Sequence, residues 1–145
     1  MKKTIVYIIS MVIITCVFIT SKIYENKQYL VEIKKFNTKY EKYINNNIVG
    51  TEVASVINQA VDDNEYERIK KDENGTYIQN DETSVNIEVK ITEFKEEQIY
   101  TMETLYSGGI TQFVKYYGQI PFKAVKVEYN KNKRIKYILF EQILN

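Results

Sequence analysis

Residues 4–21 contain no charged side chain, no Gly and no Pro, and Ile, Val, Phe, Met and Tyr dominate them. A chain carrying such a run must take it out of water. As a helix, about 18 residues rise about 27 Å, close to the hydrocarbon thickness of a bilayer. The run predicts a transmembrane helix, and residues 1–21 read as a signal-anchor. A cleaved signal peptide is the competing reading, but it needs small residues ahead of the cut. Val17, Phe18 and Ile19 stand there instead, followed by Thr20 and Ser21. Lipidation at Cys16 fits poorly too. Thr15 holds the position just before the thiol, and the apolar run continues past it. Cys16 therefore reads as one more buried apolar side chain.

Lys2 and Lys3 flank one end of the run, and Lys22, Lys27, Lys34 and Lys35 follow the other. The positive-inside rule alone does not choose between the two orientations. The short N-terminal tail has the form of an export signal, so the expected topology is single-pass, N-in and C-out. The membrane lipid is thus the first expected partner.

Residues 22–44 stay helical in character, again without Gly or Pro. Ile33, Phe36, Tyr40 and Tyr43 recur every three or four residues, while Lys34, Lys35, Lys39, Glu41 and Lys42 fill the other faces. This is an amphipathic stalk helix continuing the membrane segment. Its stripe is expected to pack on its own head domain. A coiled coil is the alternative, weakened by Asn26 and Asn37 in the seam.

Residues 45–145 read as a small α+β head, large enough to bury a core without disulfides or metal. Asn45, Asn46, Asn47 and Gly50 break the stalk. Thr51 is a candidate N-cap for a short helix to about residue 64, with Val53, Val56, Ile57, Ala60 and Val61 on one face. Asp62, Asp63 and Asn64, then Asn74 and Gly75, signal turns. Tyr77 and Ile78 form a short strand candidate. Residues 84–91 are the clearest strand, with Val85, Ile87, Val89 and Ile91 alternating against polar residues. A turn over residues 94–97 leads to a partner strand over 98–104. Ser107, Gly108 and Gly109 open a helix that Gly118 closes. The rest is a hairpin, with Ala124, Val125 and Val127 facing Ile135, Tyr137, Ile138 and Phe140. The expected sheet is antiparallel, of about four to five strands, with one inserted helix and a C-terminal hairpin.

Chemistry is sparse. The chain has no His and no Trp, and its one Cys lies in the membrane run. A Cys/His zinc site and a disulfide within the head are excluded. The acids Asp62, Asp63, Glu65, Glu67, Asp72 and Glu73 lack the spacing of a calcium loop. Glu93, Glu96, Glu97 and Glu103 show no sign of a catalytic pair. Ser107, Gly108 and Gly109 lack the lysine of a nucleotide loop. No catalytic residue, metal or cofactor is expected. Net charge is +5 over residues 1–51, −9 over 52–103 and +5 over 104–145. These blocks attract one another within a fold, or else leave a basic C-terminal face for an anionic polymer. The near-neutral whole and the lack of a stacking motif argue against nucleic acid.

The most distinctive surface candidate is the group Lys115, Tyr116, Tyr117, Phe122 and Lys123. A short helix buries one face, so Tyr116 and Tyr117 cannot both point inward. An exposed Tyr beside Lys suits a protein or glycan contact. A partly buried rim position is the plainer reading.

Phe36 with Asn37, Tyr40 to Tyr43 as Tyr-Glu-Lys-Tyr, and Gly50 to Val53 as Gly-Thr-Glu-Val resemble small single-anchor membrane proteins of unknown function from Firmicutes. The abundance of Ile, Lys, Asn and Tyr, with AT-rich codons, agrees with such a source. The layout also resembles a type IV pilin or pseudopilin, in which a half-membrane helix precedes a sheet. That likeness is architectural, because no Gly precedes Gly50 and no acid precedes Glu25. The expected function is a membrane-tethered extracytoplasmic interaction module, with a possible protein partner in an envelope, secretion or pilus-type complex. The alternative is a membrane-bound sensor or small-ligand-binding domain.

Overall fold

A computed structural model describes residues 2–93 and 96–144, with the side chains of residues 2 and 3 excepted. The chain is α+β. Its first element, α1 (Lys2–Ile44), begins in one compact unit, Met1–Lys35, and ends in a second, Phe36–Asn145.

In the first unit every side chain over residues 4–32 is exposed. Its apolar window has a mean hydropathy of 2.3 and is 0% buried. Such a helix is long and apolar enough to cross a membrane. A signal sequence shares both properties. The few hydroxyls in the run serve themselves: Ser10 donates to the Tyr7 carbonyl at 2.8 Å and Thr15 to that of Met11 at 2.7 Å. That satisfies them without water, as a lipid surrounding requires. Cys16 is exposed with its neighbours.

In the second unit, the end of α1 is followed by β1 (Ile48–Val49), α2 (Gly50–Tyr66), β2 (Asn86–Glu93), β3 (Glu96–Thr101), α3 (Met102–Ser107), α4 (Ile110–Tyr117), β4 (Pro121–Tyr129) and β5 (Ile135–Gln142). The strands form one sheet in the order β1-β4-β5-β2-β3. Three pairings are antiparallel, but β2 and β5 run parallel. The sheet is therefore mixed rather than wholly antiparallel.

One sheet face carries Ile87, Val89, Ile91, Phe122, Ile138 and Phe140, all nearly inaccessible. Helix α2 lays Val53, Val56, Ile57, Ala60 and Val61 against it, and Phe36, Tyr40 and Tyr43 of α1 join the same core. The stalk stripe thus packs on its own head over these three residues. The opposite sheet face is polar. There Lys90 reaches Glu97 at 2.6 Å and Glu141 at 3.4 Å, and the Tyr137 hydroxyl donates to Glu88 at 2.6 Å.

Several boundaries differ from the sequence reading. The helix α2 continues through Asp62, Asp63 and Asn64, because Asp63 and Asn64 find partners there and do not turn the chain. It starts at Gly50, with Val49 at the cap, and Glu52 accepts from the Val49 N–H at 3.0 Å. Thr51 lies inside the first turn. The pair Tyr77 and Ile78 supplies only an isolated bridge, between Tyr77 and Lys71. Of the expected turn over 94–97, Phe94 and Lys95 lie outside the described residues, while Glu96 and Glu97 belong to β3. Val125 is 42% exposed, because a β-bulge between Ala124 and Lys126 turns it out of the hairpin's apolar set.

Asn37, which reads as a flaw in a coiled-coil seam, has a different task. Its amide donates to the Lys133 carbonyl at 2.8 Å and accepts from the Ile135 N–H at 2.9 Å. It imitates a strand at the start of β5.

Candidate functional site

Two helices, α3 and α4, stand between β3 and β4, where the sequence pattern predicts one. Residues 102–104, expected to extend a strand, begin α3 instead. The Thr101 hydroxyl accepts from the Thr104 N–H at 3.3 Å, which caps the helix and stops the strand. Gly108 ends α3. Gly109, at φ 93°, takes a left-handed conformation that opens α4 and that most side chains avoid. The glycines therefore separate two helices where one was expected.

The two helices stand beside the sheet edge formed by β2 and β3, and they leave a groove of about 230 Å³. Ile91, Tyr100, Leu105 and Phe113 give it an apolar floor, and Tyr116 and Tyr117 border it. The ring of Phe113 stacks on Tyr117 at 5.5 Å and leans on Phe122 at 6.1 Å. Tyr117 donates its hydroxyl hydrogen to Glu93, the one charged residue in the groove wall. A larger depression, of about 350 Å³, lies on the polar side of the head near Asp81 and Lys136. Its charges already serve one another: Lys136 meets Asp81 at 3.3 Å, and Lys126 meets Glu128 at 2.7 Å. The smaller groove is the better candidate, since apolar walls with a single polar fixture suit a guest.

The expected surface group divides on this framework. Tyr116 is 67% exposed and Tyr117 is half-buried, as the one-face argument requires. The Lys115 ammonium sits 5.6 Å from the centroid of the Tyr116 ring. Phe122 is a correction. It is fully buried beneath Phe113 and reaches no surface. Lys123 is a second correction: exposed, but paired in register with Glu141 on the polar sheet face, away from the groove. Neighbours on a strand face opposite ways, so these two never shared a patch. Tyr100, Leu105 and Glu93 were missed as a group. The Thr cap followed by the helix-forming Met102, Glu103 and Leu105 was the available signal for α3.

Three acids of the acidic segment are engaged by side chains elsewhere in the second unit. Asp63 accepts from Lys39 at 2.6 Å and from the Tyr40 hydroxyl at 2.8 Å. Glu65 accepts from Lys71 and from the Tyr77 hydroxyl, both at 2.7 Å. Glu67 meets Arg134 at 3.1 Å. Among the described residues no three acids, thiols or imidazoles gather as a metal set.

Burial, then the Glu93 carboxylate, pushes the Tyr117 hydroxyl up to about 12. Burial, then Glu65, pushes Tyr77 up to about 12, and burial first also raises Tyr40 and Tyr137. Each group holds its proton more tightly folded than unfolded. For Tyr117 and Tyr77 this contribution to stability is complete below the unfolded value of 10.0 and is lost as pH rises through about 12. The expected result is a head that weakens steadily above about pH 10. Tyrosinate absorbance of the full chain in micelles should show a late-ionising fraction that collapses with unfolding. A single titration near the ordinary value, with the fold intact, would contradict it.

Replacing Tyr117 by Phe removes the bond to Glu93 and keeps the ring stack. The expected loss is about 1 kcal/mol, read from thermal unfolding of the full chain.

Comparison with protein-family models, characterised proteins and solved structures finds no match for this chain.

Proposed function

We propose that this chain is a membrane-tethered recognition module, with its head held outside the cytoplasm and binding a partner at the groove beside α3 and α4. The observation that carries the reading is the pairing of an exposed Tyr116 with an apolar groove at its foot. Exposed aromatics next to a depression are the usual anchors of recognition. The partner is a protein of the envelope, and the chain acts as an accessory subunit of an envelope, secretion or pilus-type complex in a Firmicute-like bacterium. This reading assigns no catalytic role to any described side chain.

The test is a photo-crosslinking amino acid at position 116 in intact cells. A discrete adduct is expected there and not from position 123, on the other sheet face. Equal labelling from both positions, or none from either, would count against the reading. Topology needs its own test. Alkaline phosphatase fused after residue 145 should be active, and an active cytoplasmic reporter at the same point would reverse the orientation.

A second reading, a sensor or small-ligand-binding domain, is favoured by the groove itself. Its volume of about 230 Å³ is that of about eight water molecules at about 30 Å³ each, which suits a small guest better than a protein loop. That reading requires an apolar pocket near Tyr117 and Phe122; the groove borders Tyr117, while Phe122 lies beneath Phe113 and outside its lining.

A further inference from the structure

Among the described residues, Glu93 is the one charged side chain in the groove wall. Glu93 and Glu96 are direct cross-strand partners, the last pair of the β2–β3 ladder. Alternation along each strand puts Glu93 on the side of Ile91 and Glu96 on the side of Tyr100, so Glu96 stands beside Glu93 on the groove side, outside the residues that line the groove itself. Opposed like charges at a cross-strand pair are unfavourable. Among the described residues, no Lys or Arg forms an ion pair with either carboxylate. Lys90 is on the other face with Glu97. Glu93 receives the Tyr117 hydroxyl, which is neutral. Four aromatic residues, Tyr100, Phe113, Tyr116 and Tyr117, line the same groove.

A cation is attracted both by a carboxylate pair and by the faces of aromatic rings, and more strongly where water is scarce. An apolar stem suits the floor made by Ile91 and Leu105. We infer that the groove binds a small soluble amine, with its ammonium at Glu93 and Glu96 and its apolar stem among the rings of α4 and β3. This rests on the second functional reading. A failed crosslink at position 116 would leave it standing, and failed amine binding would leave the protein-partner reading standing.

The probe is phenethylammonium, titrated calorimetrically into the full chain in maltoside micelles, with empty micelles as baseline. Its neutral counterpart, 2-phenylethanol, has the same stem. Saturable binding of the amine is expected, at least about tenfold tighter than the alcohol, as a charge-assisted bond requires. Glu93→Gln should erase that preference. Glu96→Gln, at an exposed position that tolerates change, should weaken the amine several-fold with unchanged circular dichroism. Glu97→Gln, on the opposite face, should bind as the parent does. Equal affinity for amine and alcohol, no binding by the folded parent, or full preference retained in Glu96→Gln would overturn the inference. Lipid headgroups offer the same ammonium. Affinity should therefore be equal in nanodiscs with and without phosphatidylethanolamine, and a fall in its presence would overturn the assignment to a soluble amine.

Discussion

Gly50→Ala should be among the most damaging small substitutions in the head, costing about 3 kcal/mol. Gly50 is the first residue of α2, and it stands against the end of α4. A Cβ built there would lie 2.0 Å from the Tyr117 carbonyl oxygen and 2.6 Å from its carbon, both backbone atoms that cannot swing aside. Two bonds cross the same point: the Gly50 N–H donates to the Ile120 carbonyl at 3.0 Å, and the Thr51 N–H to that of Gly118 at 3.1 Å. The first N–H groups of α2, which have no partners within their helix, are thus satisfied by carbonyls just past α4. The positive end of one helix dipole meets the negative end of another. Parting the helices to admit a methyl weakens both bonds, at about 1 kcal/mol each, on top of the steric strain. Alanine's better helix propensity returns about 1 kcal/mol, too little to offset this. For a domain of this size the midpoint should fall by roughly 10–15 °C in a thermal scan of the full chain. Ser55→Ala, on the exposed face of α2, should move it very little. A Gly50→Ala protein as stable as the parent would show that α2 and α4 do not meet in this way. The groove offers a second readout, because α4 forms one of its walls. Amine affinity should fall along with stability.

Asn64→Leu is expected to cost a similar amount by a different route. Asn64 is fully buried, and its amide brackets one residue: Nδ2 donates to the Val85 carbonyl at 2.8 Å, and Oδ1 accepts from the Val85 N–H at 2.9 Å. Leucine conserves the shape but strands both backbone groups away from water, at about 1–3 kcal/mol each. Asn64→Asp separates this cause from packing. The carboxylate still accepts from the Val85 N–H but faces the Val85 carbonyl with no proton to give. Burial and that carbonyl raise its folded pKa above the unfolded value. The variant's deficit should therefore be smallest at low pH, where the acid donates as the amide did, and grow as pH rises through the folded pKa. Denaturant unfolding at several pH values checks it. A deficit that ignores pH would assign the loss to packing alone.

These two residues show what pattern reading can and cannot reach. Strand β2 and the hairpin of β4 and β5 follow plainly from alternation, and α2 from its apolar face. Gly50 reads as a turn residue, because nothing local reveals that its neighbour in space is Tyr117. Asn64 reads as a turn signal, since Asp and Asn favour turns, until its partner Val85 is known. Alternation carries β3 past its true end, because Tyr100 and Met102 keep the two-residue period across the point where Thr101 caps a helix. The parallel pairing of β2 and β5 was hidden for another reason. A hairpin's sequence does not say which of its strands will lie against the rest of the sheet. In the groove, the division between Tyr116 and Tyr117 was legible from helix geometry. Tyr100, Leu105 and Glu93 were not, because they come together only through α3.

The position of β5 bears on the order of events in folding. It lies between β4 and β2, and it carries Ile138 and Phe140 into the middle of the core. Its partner β4 is the preceding strand, but its parallel pairing joins Tyr137 to Asn86 across everything between. Such distant closures are slow, because chain entropy is lost before any contact repays it. Until β5 arrives, β2 and β3 form a lone hairpin with one apolar face open, which is marginal in water. A nascent chain therefore acquires its cooperative core late. The β2–β3 hairpin spends that interval with its apolar face open to proteases, chaperones and other copies of itself.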